Sequence, residues 1–377
     1  MNIQIDGTNT RNKGAELMLY AILNQVEKQQ PAAEVFFNTY FGDVKDVHTS
    51  IQFKKRAVLF SQYPDVILKK LGIKSTYFSI FHPNREIDVL FDASGFRFGD
   101  QWNHSDYYIE RMNNYYSELK RSGCKIIFLP QALGPFEKKN AKESAKIISR
   151  FADRIYAREV ISKQYLMNAG ADIDKVFVTT DFSNLVDGEY KGKLNLENSI
   201  CLIPNYKMVV KTSLSEEELI SFYINVINHI QSKEKSIILL NHEGEQDRVL
   251  CSKIKEKMES KVDIVDNLNA KEIKGVIGNC YAVISSRYHG VASSLSQSVP
   301  CLATSWSHKY EMLFKDYDSS DCIIDVNDKT ESVLSKVDHI IDEKNNAKTR
   351  EGLRRSASKL KNQVENMWED IWELIQR

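Results

Sequence analysis

Apolar and polar positions follow one another along this chain in two rhythms. Short apolar runs, among them DVLFDA, KIIFLPQ, SICLIP, SIILLN and AVIS, read as strands buried on both faces, and NIQID reads as a further strand by its alternation. Between them lie longer stretches in which apolar residues recur with the helical period. Strand, helix and strand in repetition is the pattern of parallel sheets joined by crossover helices, so the sequence predicts an α/β fold throughout. In the first half the strands fall at 2–6, 35–40, 88–93, 125–131, 154–157 and 176–179. The clearest helices there are 15–29, 104–122, 141–152 and 159–169, the last closed by Gly170, where a left-handed cap favours glycine.

Between residues 180 and 198 the periodicity fades into polar residues with Gly188 and Gly192, and a second α/β set begins with SICLIP. Its strands are expected at 200–204, 236–241, 262–265, 282–285, 299–304 and 322–325, with helices at 215–232, 245–258, 270–278, 290–297 and 309–314. Ser215 and Glu218 fit a capping box. The pattern therefore gives a first domain over 1–185, a second over 199–355 and a C-terminal helix over 356–377. That helix either packs back on the first domain or pairs with another chain. Trp368 and Trp372, one turn apart, read as its docking face. Two such α/β halves bind ligands in the crevice at the carboxyl ends of their strands, so the chemistry is sought in the loops that follow strands.

With 377 residues, 42% hydrophobic and 27% charged, the composition is that of a folded globular protein. The 51 Lys plus Arg balance 51 Asp plus Glu, which leaves no global field to draw the chain to nucleic acid or anionic lipid, and no nucleic-acid partner is expected. The amino end lacks a signal-peptide pattern and no apolar stretch approaches the length of a membrane span, so a cytoplasmic location is expected. The six cysteines are scattered without a CxxC pair or a nearby His at ligand spacing; they are expected to be reduced, buried thiols, and no metal site is expected.

Four loops after strands stand out. GTNTRNKG, residues 7–14, leads into a helix whose N–H groups are open to an anion or a hydroxyl, although it matches neither dinucleotide nor phosphate-loop spacing. DASGFRFGD, residues 92–100, combines Asp92, Asp100, a Ser94-Gly95 turn and Phe96 with Phe98 as a possible aromatic clamp, the equipment of a carbohydrate site. QALGPF, residues 131–136, reads as a rigid turn. SSRYHG, residues 285–290, puts Arg287 and His289 between a strand end and a helix of small residues. Arginine binds phosphate or carboxylate bidentately and histidine exchanges protons near neutrality, so this pair is equipped as an anion and acid site. Arg158 in YAREVIS also follows a strand and opens a helix.

Taken in order, the motifs Asn12-x-Gly14-Ala15-Glu16, LPQALGPF, ARE followed by Ser162, TTD at Asp181 and SSRYHG resemble those of the polysaccharide pyruvyl transferase family over most of the chain. The resemblance implies two Rossmann-like domains facing each other across a cleft, the GT-B arrangement, and transfer of a pyruvyl group from phosphoenolpyruvate to sugar hydroxyls as a ketal. It implies His289 as the general acid and Arg158, Arg287 and Lys309 as donor-binding cations. Asn12, Gly14, Asp92, Gly95 and Asp100 would face the acceptor. Relatives carry Asp where this chain has Ala15, and a Gly-Gly pair where it has Ala93 and Ser94. No cofactor is expected beyond phosphoenolpyruvate as co-substrate. The acceptor is a sugar or oligosaccharide, with a lipid-linked acceptor at the inner membrane face compatible with the composition. Two rival readings are a nucleotide-sugar glycosyltransferase on the same architecture and an inactive scaffold subunit of a polysaccharide assembly complex.

Overall fold

The computed structural model describes residues 1–38, 47, 53–56, 87–304 and 309–377. Its described residues form two compact units. The first comprises Met1–Thr10, Met18–Ser183 and Gln363–Arg377; the second comprises Arg11–Leu17 and Asn184–Asn362.

The first unit is built on a seven-stranded sheet of β1 (Asn2–Asp6), β2 (Glu34–Asn38), β3 (Phe53–Arg56), β4 (Val89–Asp92), β5 (Lys125–Gln131), β6 (Arg154–Ala157) and β7 (Val176–Val178). The spatial order is β3-β2-β1-β4-β5-β6-β7 and every pairing is parallel. The strands lie where the apolar runs predicted them, apart from β3. Its FKKR sequence has no apolar run to announce it, and among the described residues it lies at the edge of the sheet. The end of the expected strand 35–40 passes outside the described residues. The strand order reverses between the parallel neighbours β1 and β4, in register Asp6 with Asp92, and a reversal of this kind is where open α/β sheets place ligands.

The second unit holds β8 (Ser199–Ile203), β9 (Ser236–Leu240), β10 (Asp263–Val265), β11 (Ala282–Ser285), β12 (Cys301–Thr304) and β13 (Ile323–Ile324), in the order β10-β9-β8-β11-β12-β13, again all parallel. Alternate residues of the same strand feed two cores. Cys201, Ile203, Val283 and Cys301 enter one with the helix Ala270–Asn279, and Ile200, Leu202, Ala282 and Ile284 enter the other with the helix Glu216–Gln231. Burial on both faces is why these strands read as unbroken apolar runs. The predicted capping box at Ser215 and Glu218 is present. Both sheets have the Rossmann strand order, so the α/β reading holds in each unit.

The tail forms two helices, Thr330–Ile341 and Glu343–Gln376, separated at Asp342, where the backbone turns extended and its carboxylate accepts the Asn345 N–H at 2.9 Å. From Gln363 onward the long helix belongs to the first unit. Trp368 and Trp372 stand edge-on to Phe91, with ring centroids 5.7 and 6.1 Å away, and Asp370 accepts hydrogen bonds from Tyr156 Oη at 2.5 Å and Arg154 Nε at 3.0 Å. No helix among the described residues is long and apolar enough to cross a membrane.

Candidate active site

In the second unit β11 runs out of the core into Ser285, Ser286 and Arg287. Ser285 Oγ accepts from the Arg287 N–H and donates to the Arg287 carbonyl, both at 3.0 Å, which turns the chain so that Arg287 caps the helix Tyr288–Ser296. Ser286 is tied down from several sides. Its hydroxyl meets Tyr223 Oη at 2.7 Å and Thr304 Oγ1, and its carbonyl accepts from Asn205 Nδ2 at 2.9 Å and Tyr310 Oη at 3.0 Å. Gly290 completes the turn, because a Cβ there would stand 2.5 Å from Ser285 Oγ. The strand end is thus rigid before any ligand arrives, and it lies beside β8, where the strand order reverses.

Arg287 is buried between two carboxylates. Asp247 Oδ2 takes its Nε at 2.8 Å and its Nη2 at 2.5 Å, and Glu243 Oε2 takes Nη1 at 2.6 Å. Asp247 Oδ1 also accepts the Tyr206 N–H at 3.0 Å. Burial pushes the Asp247 carboxyl upward, and the Arg287 guanidinium pulls it back. The second Glu243 oxygen accepts Asn12 Nδ2 at 2.9 Å, while Asn12 Oδ1 accepts the Ala15 N–H at 3.0 Å at the opening of the helix Lys13–Gln29. Asn12 thereby connects the first turn of that helix to Arg287 through one carboxylate. In the next turn, Lys13 Nζ donates to Glu16 Oε2 at 2.8 Å.

Gly14 lies against the His289 imidazole so closely that a Cβ on it would stand 1.9 Å from His289 Cδ2 and 2.3 Å from Nε2. On another side the His289 ring meets Tyr288 edge-on, with centroids 5.3 Å apart. Nearby, His242 is buried with its Nδ1 lacking a hydrogen-bond partner. Desolvation, followed by the charges of Arg287, His289 and Lys13, holds its imidazole well below the usual histidine range, so it is neutral. The result is a braced guanidinium and a closely packed imidazole beside two helix amino termini, groups chemically able to hold an anion and to exchange a proton.

In the first unit the expected acceptor residues share the loop after β4. Asp92 is fully buried; its Oδ1 accepts from Ser94 N at 3.1 Å and Ser94 Oγ at 2.6 Å, and its Oδ2 accepts from Tyr116 Oη at 3.1 Å. Arg97 Nη1 lies 3.5 Å from the same oxygen. This carboxylate braces the loop from inside. Ser94 fits because Gly7 faces it, where a Cβ would come within 2.3 Å of its Oγ. Gly95 has φ +65, which suits glycine. Asp100 accepts the N–H groups of Glu137 and Lys138 at 2.9 Å each, joining this loop to the one after β5. Asp6, across from Asp92, is buried and its carboxyl is raised by desolvation and by Asp92. Arg158 follows β6 and lies 3.5 Å from Glu159 and 4.0 Å from Asp181.

Within the second unit, then, Asn12, Gly14, Arg287 and His289 come together. Asn12 and Gly14, expected to face an acceptor, are grouped with the second unit, where Asn12 meets Glu243 and Gly14 lies against His289. Lys309 opens the helix Lys309–Asp316, and its side chain, like residues 305–308, lies outside the described structure. The aromatic clamp also changes membership. Phe98 is buried against Phe128, and Trp102 is the ring beside Phe96. Sequence reasoning passed over His242, Glu243 and Asp247, although NHEGEQD leaves an apolar strand for a helix through Gly244 at φ +75, just as the noticed loops do. No group of three potential metal ligands occurs among the described residues.

Solved structures share this fold at low identity. The MnaA–UDP co-structure from S. aureus superposes with a TM-score of 0.63 at 12% identity, covering 100% of this chain and 96% of that one. A putative UDP-N-acetylglucosamine 2-epimerase from Listeria monocytogenes gives 0.61 at 12%, covering 97% and 93%. A glycosyltransferase from Rickettsia africae gives 0.60 at 12%, covering 100% and 98%. These place the chain among GT-B-like folds. In sequence, the amylovoran biosynthesis protein AmsJ of Erwinia amylovora is 19% identical over 240 residues, covering 58% of each protein, so the chain spans somewhat over half the length of this curated relative. Residues 12–308 match the family description polysaccharide pyruvyl transferase, a span that takes in both Asn12-x-Gly14 and Arg287-x-His289, and the chain belongs to that family.

Proposed function

We propose that this protein transfers the pyruvyl group of phosphoenolpyruvate to a pair of sugar hydroxyls, forming a pyruvate ketal during polysaccharide biosynthesis. The observation that carries the reading is the Arg287–His289 pair, one member fixed by Asp247 and the other seated on Gly14. The donor carries phosphate and carboxylate charge and needs a cation with hydrogen-bond donors in fixed positions. Arg287 supplies it. Asp247 is fully buried and keeps the guanidinium in place, while Glu243, with 23% of its side chain exposed, is the carboxylate that the donor anion displaces. Lys309, which follows the next strand of the same unit, is the second cation proposed for this ligand.

His289 gives a proton to the methylene carbon of the enol, and the C2 centre becomes oxocarbenium-like. One sugar hydroxyl adds to C2, phosphate leaves with its electron pair, and a second hydroxyl closes the ketal. The two hydroxyl protons leave to His289 and to the departing phosphate, so the imidazole is reloaded for the next turnover. General acid catalysis of this kind contributes about 10² to 10⁴ in rate.

The rival reading, glycosyl transfer from a nucleotide sugar, draws on the fold shared with the UDP co-structure. Thermal stabilisation separates the two, because a ligand that binds only the folded state raises its apparent stability. Phosphoenolpyruvate is expected to raise the Tm, the rise is expected to vanish in Arg287→Ala, and UDP-sugars are expected to leave it unchanged. His289→Gln should keep the donor shift and lose phosphate release by at least about 100-fold. A shift with UDP-sugars alone, or full turnover by His289→Gln, overturns the proposal.

A further inference from the structure

We infer that Phe96 and Trp102, on the loop after β4, form a stacking surface for a pyranose ring of a neutral oligosaccharide; naming that ring as the acceptor's rests on the pyruvyl-transfer reading. Large rings normally leave water on folding, and this loop obeys the rule at Phe98, which is fully buried. Phe96 and Trp102 break it together, at 49% and 50% exposed. Their centroids are 6.1 Å apart at an interplanar angle of 64°, an edge-to-face pair of which about half of each residue stays exposed.

The pair is held still. Trp102 Nε1 donates to the Phe96 carbonyl at 2.7 Å, so the indole already has its polar partner and presents only its apolar face. The short turn Asp100–Trp102 is pinned by the Asp100 carboxylate on the N–H groups of Glu137 and Lys138. Rings fixed before binding lose little entropy when a ligand stacks on them. The loop also follows the strand at which the order of the first sheet reverses, and Ser94 within it packs on Gly7 after β1.

The same loop lines a polar concavity of about 280 Å³ with Asn103, His104, Asp106, Lys139 and Asn140. Amides, an imidazole and a carboxylate suit hydroxyl groups. The cations there are engaged: Lys139 lies 3.7 Å from Asp106, and Lys138 Nζ donates to the Asp100 carbonyl at 3.2 Å. Two carboxylates, Asp100 and Asp106, stand against two lysines in this lining, which leaves no net positive charge to draw a nucleotide phosphate and suits an uncharged polyhydroxylated ring. Phe96 and Trp102 do not line this concavity, but Trp102 falls in sequence between Asp100 and Asn103, which do, so one short turn carries an exposed ring and polar groups, the composition of a sugar subsite.

A printed panel of neutral oligosaccharides ending in glucose, galactose, mannose or N-acetylhexosamine, probed without phosphoenolpyruvate, tests the inference. Wild type should retain at least one class, Trp102→Ala should weaken it roughly tenfold or more, and Trp102→Phe should restore most of the loss. Half-exposed Trp102 is replaceable without unfolding, which an unchanged Tm verifies. Retention of no glycan by wild type, or equal retention by Trp102→Ala, overturns the inference. So does binding of uridine monophosphate that Trp102→Ala removes, since the rings would then stack a base. Phosphoenolpyruvate-induced Tm shifts on the same samples report the donor site separately. Glycan binding without a donor shift sinks pyruvyl transfer and leaves this surface standing; a donor shift without glycan binding does the reverse.

Discussion

Gly14 occupies the first turn of a helix, a position where alanine is better by about 1 kcal/mol and where the backbone makes no demand for glycine. What excludes a side chain is the His289 imidazole, 1.9 Å from where a Cβ would sit. Gly14→Ala therefore sets helix propensity against the placement of one ring. The ring is a rotatable side chain and gives way, so the Tm should stay within a few degrees of wild type, while under the proposed pyruvyl transfer phosphate release from phosphoenolpyruvate should fall roughly 100-fold, the scale of loss for a catalytic group moved by about 1 Å. Parallel Tm and turnover measurements on the purified variant check this. Turnover at the wild-type level would mean that the orientation of His289 is irrelevant to the reaction. Arg287 is fixed by a different physics. Removing it strands the fully buried Asp247 carboxylate, a loss of the kind that costs about 3–5 kcal/mol, so Arg287→Ala is read by ligand shift only alongside its own baseline Tm.

The elements were readable in sequence wherever burial was two-sided. KIIFLPQ and SICLI are continuous apolar runs because both faces of β5 and β8 are covered, and they appear where the runs predicted them. FKKR was missed because it carries no apolar run to mark it. The last helix was legible through Trp368 and Trp372, whose spacing places both on one face. In the first unit they close over Phe91, and Trp368 also meets Phe182 with centroids 6.3 Å apart. Both indole Nε1 atoms are buried without a hydrogen-bond partner, so the rings contribute area at the cost of two orphaned donors. Trp368→Ala should cost about 3–5 kcal/mol of first-unit stability through the cavity it leaves. Trp368→Phe should cost clearly less, because it keeps a ring against Phe91 and removes one orphaned N–H. Urea unfolding of the three proteins decides the order; equal losses for Ala and Phe would show that the indole's full outline carries the packing.

At the scale of the molecule the sequence exposed the members of the site better than their relations. Arg287 and His289 were conspicuous because both follow an apolar strand, whereas Asn12 reaches Glu243 from 231 positions away and no local pattern encodes that bond. His242 is the hidden member with a measurable consequence. Desolvation and its cationic neighbours hold it well below the ordinary histidine range in the folded chain. As pH falls through about 6.5, the unfolded chain takes a proton that the folded chain refuses, so second-unit stability should fall by up to about 1.4 kcal/mol per pH unit until the folded value is reached. Asp6 in the first unit has the opposite sign. Its raised carboxyl keeps a proton that the unfolded chain has released, so its contribution is complete below the unfolded value and is lost as pH rises through the folded one. Asp247, also raised, acts in the second unit with the sign of Asp6, so single substitutions rather than the wild-type slope isolate each group. Calorimetry from about pH 7 to about pH 5 should show His242→Gln losing less stability than wild type on acidification. Asp6→Asn, which keeps an oxygen for Gln4 Nε2 and lets Tyr115 Oη accept instead of donate, should gain stability at neutral pH and no longer gain it on acidification. Curves for both variants that run parallel to wild type would mean that neither buried group is coupled to folding, and the neutral His242 beside Arg287 would lose its physical basis.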